Sequence, residues 1–253
     1  MCDCDINAML VERESVLIRE YDAALDMAGF DSRDIVLDIA TGSGRMLQQL
    51  LNRGYTVISG DIDKEALDRA KERLGDLGNK PKFMLFDAHS LPFDDNSINA
   101  ITLANAIHEI KDPCGVLDEI VRVLSDDGKL LVVEFNSLGF EMMELHHKMQ
   151  GRGKHPEGEM AAEDIENYLR KSFKSVKTSE FSITHAWVAF GKGDGKLFPR
   201  RDQATIFAQR VFRHPSYPWC ARSRIETRYR PCSHGRGFWP VLPSWTLNSR
   251  FRI

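Results

Sequence analysis

Three aspartates and two glycines fall where apolar runs stop. Asp38 lies inside VLDIATGSG with Gly42 and Gly44 just after it, Asp61 closes TVISGD, and Asp87 closes KFMLFD. An apolar run that ends in a glycine turn and then a helical pattern suits a nucleotide-like ligand, because the turn lets backbone N–H groups approach it closely. A triphosphate-binding loop needs Gly, four residues, then Gly-Lys-Ser/Thr. Here Arg45 follows Gly44 and no such pair appears, which excludes that chemistry. The dinucleotide fingerprint G-x-G-x-x-G is closer, but Leu47 stands where its third glycine belongs. Asp38 also argues against a pyrophosphate. A carboxylate a few ångströms away repels an anion and attracts a cation by about 1 to 4 kcal/mol at water-like to intermediate dielectric.

These residues need a scaffold that brings their strand ends together. Strand-like runs IVLDIA (35–40), TVISGD (56–61), KFMLFD (82–87), NAITLAN (99–105) and KLLVVEF (129–135) alternate with helical patterns. A first helix is expected over 11–28, where Leu17, Tyr21, Ala24 and Ala28 keep a three-or-four spacing. Asp63 is placed to cap the helix after the second strand. Asp112 and Pro113 fit the N-cap and first position of a later one, which ends before a turn at SDDGK. AAEDIENYLRKSF puts Ile165, Leu169 and Phe173 on one helical face, and SVKTSEFSI with HAWVAFGKG reads as a closing hairpin. Apolar strands separated by helices imply a sheet covered on both faces. The expected fold is α/β: a doubly wound, mostly parallel seven-stranded sheet with an antiparallel closing strand. In such a sheet the carboxyl ends of neighbouring strands meet at one crevice. There Asp61 would accept from ribose hydroxyls, and Asp87 from an adenine exocyclic amine. An adenosine that carries positive charge and no phosphate matches this acidic crevice, and S-adenosylmethionine is such a ligand.

The same residues resemble the class I S-adenosylmethionine-dependent methyltransferases. VLDIATGSG is similar to their first motif and GDID to their ribose-binding acid. FDAHSLPFDDNSINAITLANAIHEI is similar to their adenine-binding and fourth-strand region, and DPCGVLDEIVRVLSDDGKLLVVEF to the next helix and strand. The motifs cover 35–135 in family order, and D-A-x-x-L-P-F most resembles the small-molecule branch that includes ubiquinone/menaquinone methyltransferases. Asp127 departs from the proline commoner before the turn glycine. The resemblance implies S-adenosylmethionine as cofactor, held by Asp38, Ala40, Gly42, Gly44, Asp61, Ile62, Asp87, Ala88 and Asn105.

Methyl transfer is an in-line displacement at a carbon already activated, so alignment of the acceptor is the protein's main task. A base is needed only if the nucleophile must lose a proton. In NAIHE (105–109) His108 is the candidate base or orienting group, because imidazole titrates near neutral pH. Its alternative is a histidine packed beneath the cofactor. The run lacks the Asn/Asp-Pro-Pro-aromatic sequence of exocyclic nucleobase methylation. Residues 136–160 are expected over the acceptor, with Met142 and His146 as substrate contacts beside Met143. His146, His147 and His155 are not expected to share a metal, since adjacent helical residues point to different faces.

Charge divides the chain. Residues 1–193 carry a balance of −12 and residues 194–253 one of +9, with eleven arginines against one lysine in the latter. The expected domains are therefore a methyltransferase domain over 1–193 and an Arg/Pro/Trp-rich tail over 194–253. Arginine interleaved with aromatics can bind nucleic acid, so one alternative is an RNA methyltransferase that docks through this tail. The other readings of the tail are a disordered appendage or a stretch translated from a shifted frame. A non-catalytic S-adenosylmethionine-binding regulator is a further alternative. Five scattered cysteines without framework spacing fit a reducing cytoplasm, and neither signal peptide nor membrane insertion is expected from the apolar runs. The expected partner is a small-molecule methyl acceptor; oligomeric state is not legible.

Overall fold

Alternation of side chains along apolar strands lets one sheet bury both faces, and the computed structural model of the protein shows this arrangement. It describes residues 3–149, 151, 153, 158 and 160–193, with side chains from residue 12 onward. The elements run α1 (Asp3–Ala28), β1 (Ile35–Ile39), α2 (Arg45–Asn52), β2 (Thr56–Asp61), α3 (Lys64–Leu74), β3 (Lys82–Leu85), β4 (Ile98–Ala104), α4 (Pro113–Val123), β5 (Leu124–Phe135), α5 (Ser137–Met149), α6 (Ala162–Ser172), β6 (Phe173–Glu180) and β7 (Thr184–Lys192). The tail over 194–253, and with it the expected domain boundary, lies outside the described residues.

The seven strands are ordered β3-β2-β1-β4-β5-β7-β6. β1 to β5 are parallel, whereas β7 runs antiparallel to both β5 and β6. The chain winds outward from β1 to β3, then returns to lay β4 on the other side of β1. The gap between β1 and β4 is thus the switch point where ligands of such sheets sit.

Strand alternation fills two cores. Leu37, Ile39, Leu130 and Val132 face α4 and α6 with Leu117, Ile120, Ile165 and Leu169. Val36, Leu131 and Val133 face the other way, against Leu17, Tyr21 and Leu25 of α1, Leu47 and Leu50 of α2, and Met143 of α5. Leu47 is fully buried here. A side chain where dinucleotide binders keep a glycine is thus part of the core. Close approach occurs instead at Gly44, where an added Cβ would lie 2.9 Å from the Ala70 Cβ of α3. Its φ of 77° also lies in the left-handed region that glycine tolerates best.

One expectation needs adjustment. SDDGK does not separate helix from strand, because β5 starts at Leu124. Its pairing with β4 passes from Ile98↔Leu124 to Ala100↔Lys129, so the polar residues bulge from the ladder without ending it. Within 136–160, Ser137–Met149 form α5, seated on the sheet through Met143. The other caps follow the expected chemistry. The Asp63 side chain accepts from Glu65 N, and that of Asp112 from Gly115 N with Pro113 beginning the helix.

Candidate functional site

The ends of β1 and β2 form the first part of the site. β1 stops because Ala40 takes a φ of 54°, and Gly42 and Gly44 continue with 53° and 77°. An L-residue in that region is strained by about 1 kcal/mol or more, and the surrounding bonds hold it there. Thr41 N donates to Gly60 O at 3.1 Å and Gly44 N to Thr41 O at 2.8 Å. The Asp61 carboxylate clamps the turn from β2. Its Oδ2 accepts from Gly42 N and its Oδ1 from Asp63 N, each at 2.9 Å. Beside it Ile62 is 69% exposed, an apolar side chain held open at the mouth of the crevice.

Sheet register decides the environment of Asp38. It pairs with Ser59 on one side and Thr102 on the other, so hydroxyls flank it from both neighbours. Thr102 Oγ1 donates to Oδ1 at 2.9 Å, Ser59 Oγ lies 3.1 Å from Oδ2, and Thr41 Oγ1 also donates to Oδ2. Only 1% of the residue is exposed. Burial therefore outweighs the three hydroxyls and raises its pKa from 3.8 to about 6. The sign follows directly. The folded state holds this proton more tightly than the unfolded state, so the contribution is full below 3.8 and is lost as pH rises through about 6. That loss amounts to about 3 kcal/mol. Asp38→Asn is accordingly expected to gain about 1 to 2 kcal/mol over the native protein at pH 8 and nothing at pH 4. Urea unfolding at several pH values checks this; an equal difference at both ends would remove the burial explanation.

The third aspartate is placed differently from a strand-end acid, because β3 stops at Leu85 and Asp87 follows in the loop. Its Oδ1 accepts from His89 N at 2.9 Å and faces His89 Nδ1 at 2.8 Å, while His89 Nε2 lies 2.9 Å from Lys111 O. Burial of that imidazole opposes its charge, yet the Asp87 carboxylate and the Lys111 carbonyl prevail and raise its pKa. Asp87, with half-buried Ala88 behind it, is thereby tied to the loop after β4. Sequence reading missed His89, although its place two residues after the acid was the available signal.

At the end of β4, Asn105 has a φ of 50° and its N–H donates to Val133 O at 2.7 Å. Both polar atoms of its side-chain amide are buried without a hydrogen-bond partner among the described residues. A buried amide left unpaired costs about 1 to 3 kcal/mol, so this side chain is set for a partner from outside the chain.

His108 follows in the short 3₁₀ turn Ile107–Glu109 and is 5% exposed. Its Nδ1 lies 2.8 Å from Glu134 Oε1, and its N–H donates to Glu134 Oε2 at 3.2 Å. Phe135 N donates to the same carboxylate at 2.8 Å. The ring is enclosed by Phe140 of α5, edge-on at 5.2 Å between centroids, and by Phe135 at 5.9 Å. Glu134 is a second residue missed in the sequence, since a single acid at the end of LLVVEF carries no sign of its partner.

Gly42, Gly44, Asp38, Ala40 and Asp61 thus gather at the ends of β1 and β2, and Asn105, His108 and Glu134 at the ends of β4 and β5. Met142 packs against the core that holds Phe135 and Met143. His146 is half-buried one turn further along α5, its ring 6.2 Å from His147 and tilted 45° to it. His155 lies outside the described residues. Among those described, no three His, Cys, Asp or Glu side chains are placed to share a metal ion, and no helix is long and apolar enough to cross a membrane.

Residues 37–132 match a family model described as a methyltransferase domain. A ubiquinone/menaquinone biosynthesis C-methyltransferase of Pseudoalteromonas translucida is 32% identical over 139 residues, covering 53% of this chain and 55% of its own. A demethylmenaquinone methyltransferase of Clavibacter sepedonicus is 34% identical over 103 residues, covering 40% and 41%. The chain spans about half the length of the curated relatives it matches. Among solved structures, a Pyrococcus horikoshii protein superposes with a TM-score of 0.58 at 17% identity, covering 69% of this chain and 91% of that one. A SAM-dependent methyltransferase from Aquifex aeolicus gives 0.50 at 19%, covering 67% and 88%. These likenesses show the fold.

Proposed function

We propose that this chain, whose residues 37–132 match a methyltransferase-domain family model, transfers a methyl group from S-adenosylmethionine to a small-molecule acceptor. The unpartnered amide of Asn105 at the switch point carries the proposal. It supplies a donor and an acceptor where the fold concentrates ligand contacts, beside a glycine turn and an acid suited to a ribose.

The residues present fit that cofactor. Asp61 and Ile62 would hold the ribose and one face of the adenine, Asp87 and Ala88 the adenine edge, and Gly42 and Gly44 would let the backbone approach. Asp38 would place negative charge beneath the turn, acting through Thr41 and the strand ends because it is itself buried. Bound there, the cofactor supplies a methyl group already activated by its sulfonium. The acceptor would meet it over the ends of β4 and β5. His108 Nδ1 is held against the Glu134 carboxylate, and the tautomer with its proton on that nitrogen has Nε2 as the ring's acceptor, 3.9 Å from Glu109 Oε1. The role of His108 is to take the acceptor's proton or to orient the acceptor. Phe140 and Phe135 limit water around it. Met142 and His146 on α5 are assigned to the acceptor side.

The small-molecule assignment draws on the names of the relatives and on NAIH at 105–108, which is not a nucleobase-amine motif. Calorimetric titration of the full chain with S-adenosylmethionine, S-adenosylhomocysteine and NADH tests the reading. Saturable binding of the first two with no NADH signal is expected. NADH binding without the others would mean that the glycine turn serves a dinucleotide and would end the methyltransferase reading.

A further inference from the structure

The start of β7 carries an imidazole that the site described above does not use. The turn before it is pinned from two sides. Glu20 of α1, itself buried, accepts from Ile183 N at 3.1 Å and from Thr184 Oγ1 at 2.7 Å. The Asn136 amide donates from Nδ2 to Phe181 O and Ser182 O, each at 3.1 Å. His185 follows directly on this mount. Its ring stacks on Trp187, with centroids 4.2 Å apart and planes 2° from parallel. The fully buried Trp187 donates in turn from Nε1 to Glu166 Oε2 of α6 at 3.5 Å. A ring held in this way cannot swing out to water without giving up the stack. Yet His185 Nε2 is buried with no hydrogen-bond partner among the described residues. A buried polar nitrogen without a partner is costly, and it gives the same sign as the amide of Asn105.

Register fixes what this imidazole stands beside. His185 pairs with Glu134 across the antiparallel β5–β7 ladder. Side chains at paired positions leave the sheet on one face, with Cβ atoms about 5 Å apart. Glu134 is the carboxylate that holds His108, so two imidazoles flank one acid at the same end of the sheet. The segment before α6 borders this region. A Cβ at Gly158 would lie 2.7 Å from His108 Cα, and Met160 packs against the core that includes Ile165 and Trp187. Building on the methyl transfer proposed above, we infer that His185 binds the methyl acceptor, its Nε2 hydrogen-bonding a polar group distinct from the atom methylated near His108. Neutral imidazole can donate or accept there, so a hydroxyl, carbonyl or amine would serve. The acceptor is thus a molecule with a second hydrogen-bonding group, and His185 turns its reacting atom toward the donor.

A small-molecule extract of cells that carry the chain serves as the acceptor probe, with labelled S-adenosylmethionine as donor. Serial dilution of the extract separates apparent KM from maximal rate. His185→Phe keeps a ring against Trp187 and removes both nitrogens. In the full chain it should raise apparent KM about tenfold, the worth of a typical hydrogen bond, and lower the maximal rate by less. Calorimetric affinity for S-adenosylhomocysteine should stay within about twofold of native, which also reports that the variant is folded. His185→Gln, whose amide reaches the place of Nε2, should recover part of the loss, whereas the shorter amide of His185→Asn should not. A native KM in His185→Phe overturns the inference and makes the ring a packing group. So does a fall in S-adenosylhomocysteine affinity that matches the rise in KM, which would put the histidine in the donor site. If His185→Phe does not fold, the two amides decide: equal KM values for them overturn the inference. Native protein that binds S-adenosylhomocysteine yet labels nothing in the extract overturns the methyl-transfer reading itself, a result distinct from the others.

Discussion

His108→Ala should lower turnover by about two to four orders of magnitude, the range of general acid–base groups, and leave S-adenosylmethionine affinity within a few-fold. The argument is geometric. Glu134 holds Nδ1 at 2.8 Å and the His108 N–H at 3.2 Å, so the imidazole has little freedom, and two phenylalanines close around it. A group fixed this firmly acts through position as well as basicity. Glu134→Gln should loosen the hold on the ring, because both carboxylate oxygens accept backbone N–H groups, from Phe135 at Oε1 and from His108 at Oε2, and an amide can accept at only one. Turnover should then fall by less than in His108→Ala. Methyl transfer to an acceptor pool, measured with labelled donor alongside calorimetry, separates the outcomes. If His108→Ala turns over normally, the histidine is a packing residue under the cofactor. If it loses donor binding in proportion to turnover, its place is in the cofactor site.

The second large effect is expected at Asp61. Its carboxylate accepts two backbone hydrogen bonds that hold the turn at Gly42 and the start of the following loop. It is also the group proposed to meet the ribose. Hydrogen bonds to charged groups contribute about 1.5 to 3 kcal/mol each, so Asp61→Ala should weaken S-adenosylmethionine by about a hundredfold or more. Asp61→Asn can still accept at one oxygen and should recover part of this. The same losses should appear with S-adenosylhomocysteine, because the contact concerns the nucleoside and not the sulfonium. Titrations of the two ligands against both variants check the point, with circular dichroism to confirm the fold. An Asp61→Ala variant that binds both ligands at native affinity would move the ribose elsewhere.

Much of the scaffold could be read from spacing. Leu17, Tyr21 and Ala24 face one side because a helix repeats every 3.6 residues, and the buried alternation of β1, β4 and β5 follows from the two-residue period of a strand. Asp63 and Asp112 announced helix starts because a short acidic side chain reaches the free N–H groups there. The bulge in β5 was not legible. SDDGK has the composition of a turn, and only pairing with β4 on one side keeps those residues in the strand. The seat of α5 was not legible either, because it depends on Met143 meeting the sheet.

For the candidate site, the sequence by itself determined which residues fall at the strand ends: Asp38 near the end of β1 with Gly42 and Gly44 after it, Asp61 at the end of β2, and Asn105 after β4. Local rules suffice there, since an apolar run, a glycine turn and a cap are each read within a few residues. Tertiary structure alone decided what those groups meet. Register places Ser59 and Thr102 on either side of Asp38, and burial then raises its pKa to about 6. The ends of parallel neighbours β4 and β5 bring Glu134 to His108, and packing of α1 over α2 brings Glu14 to Arg45 and Arg13 near both. The physical reason is the same in each case. A charge's behaviour depends on solvent exclusion and on partners a few ångströms away, and those partners come from segments far apart in the chain.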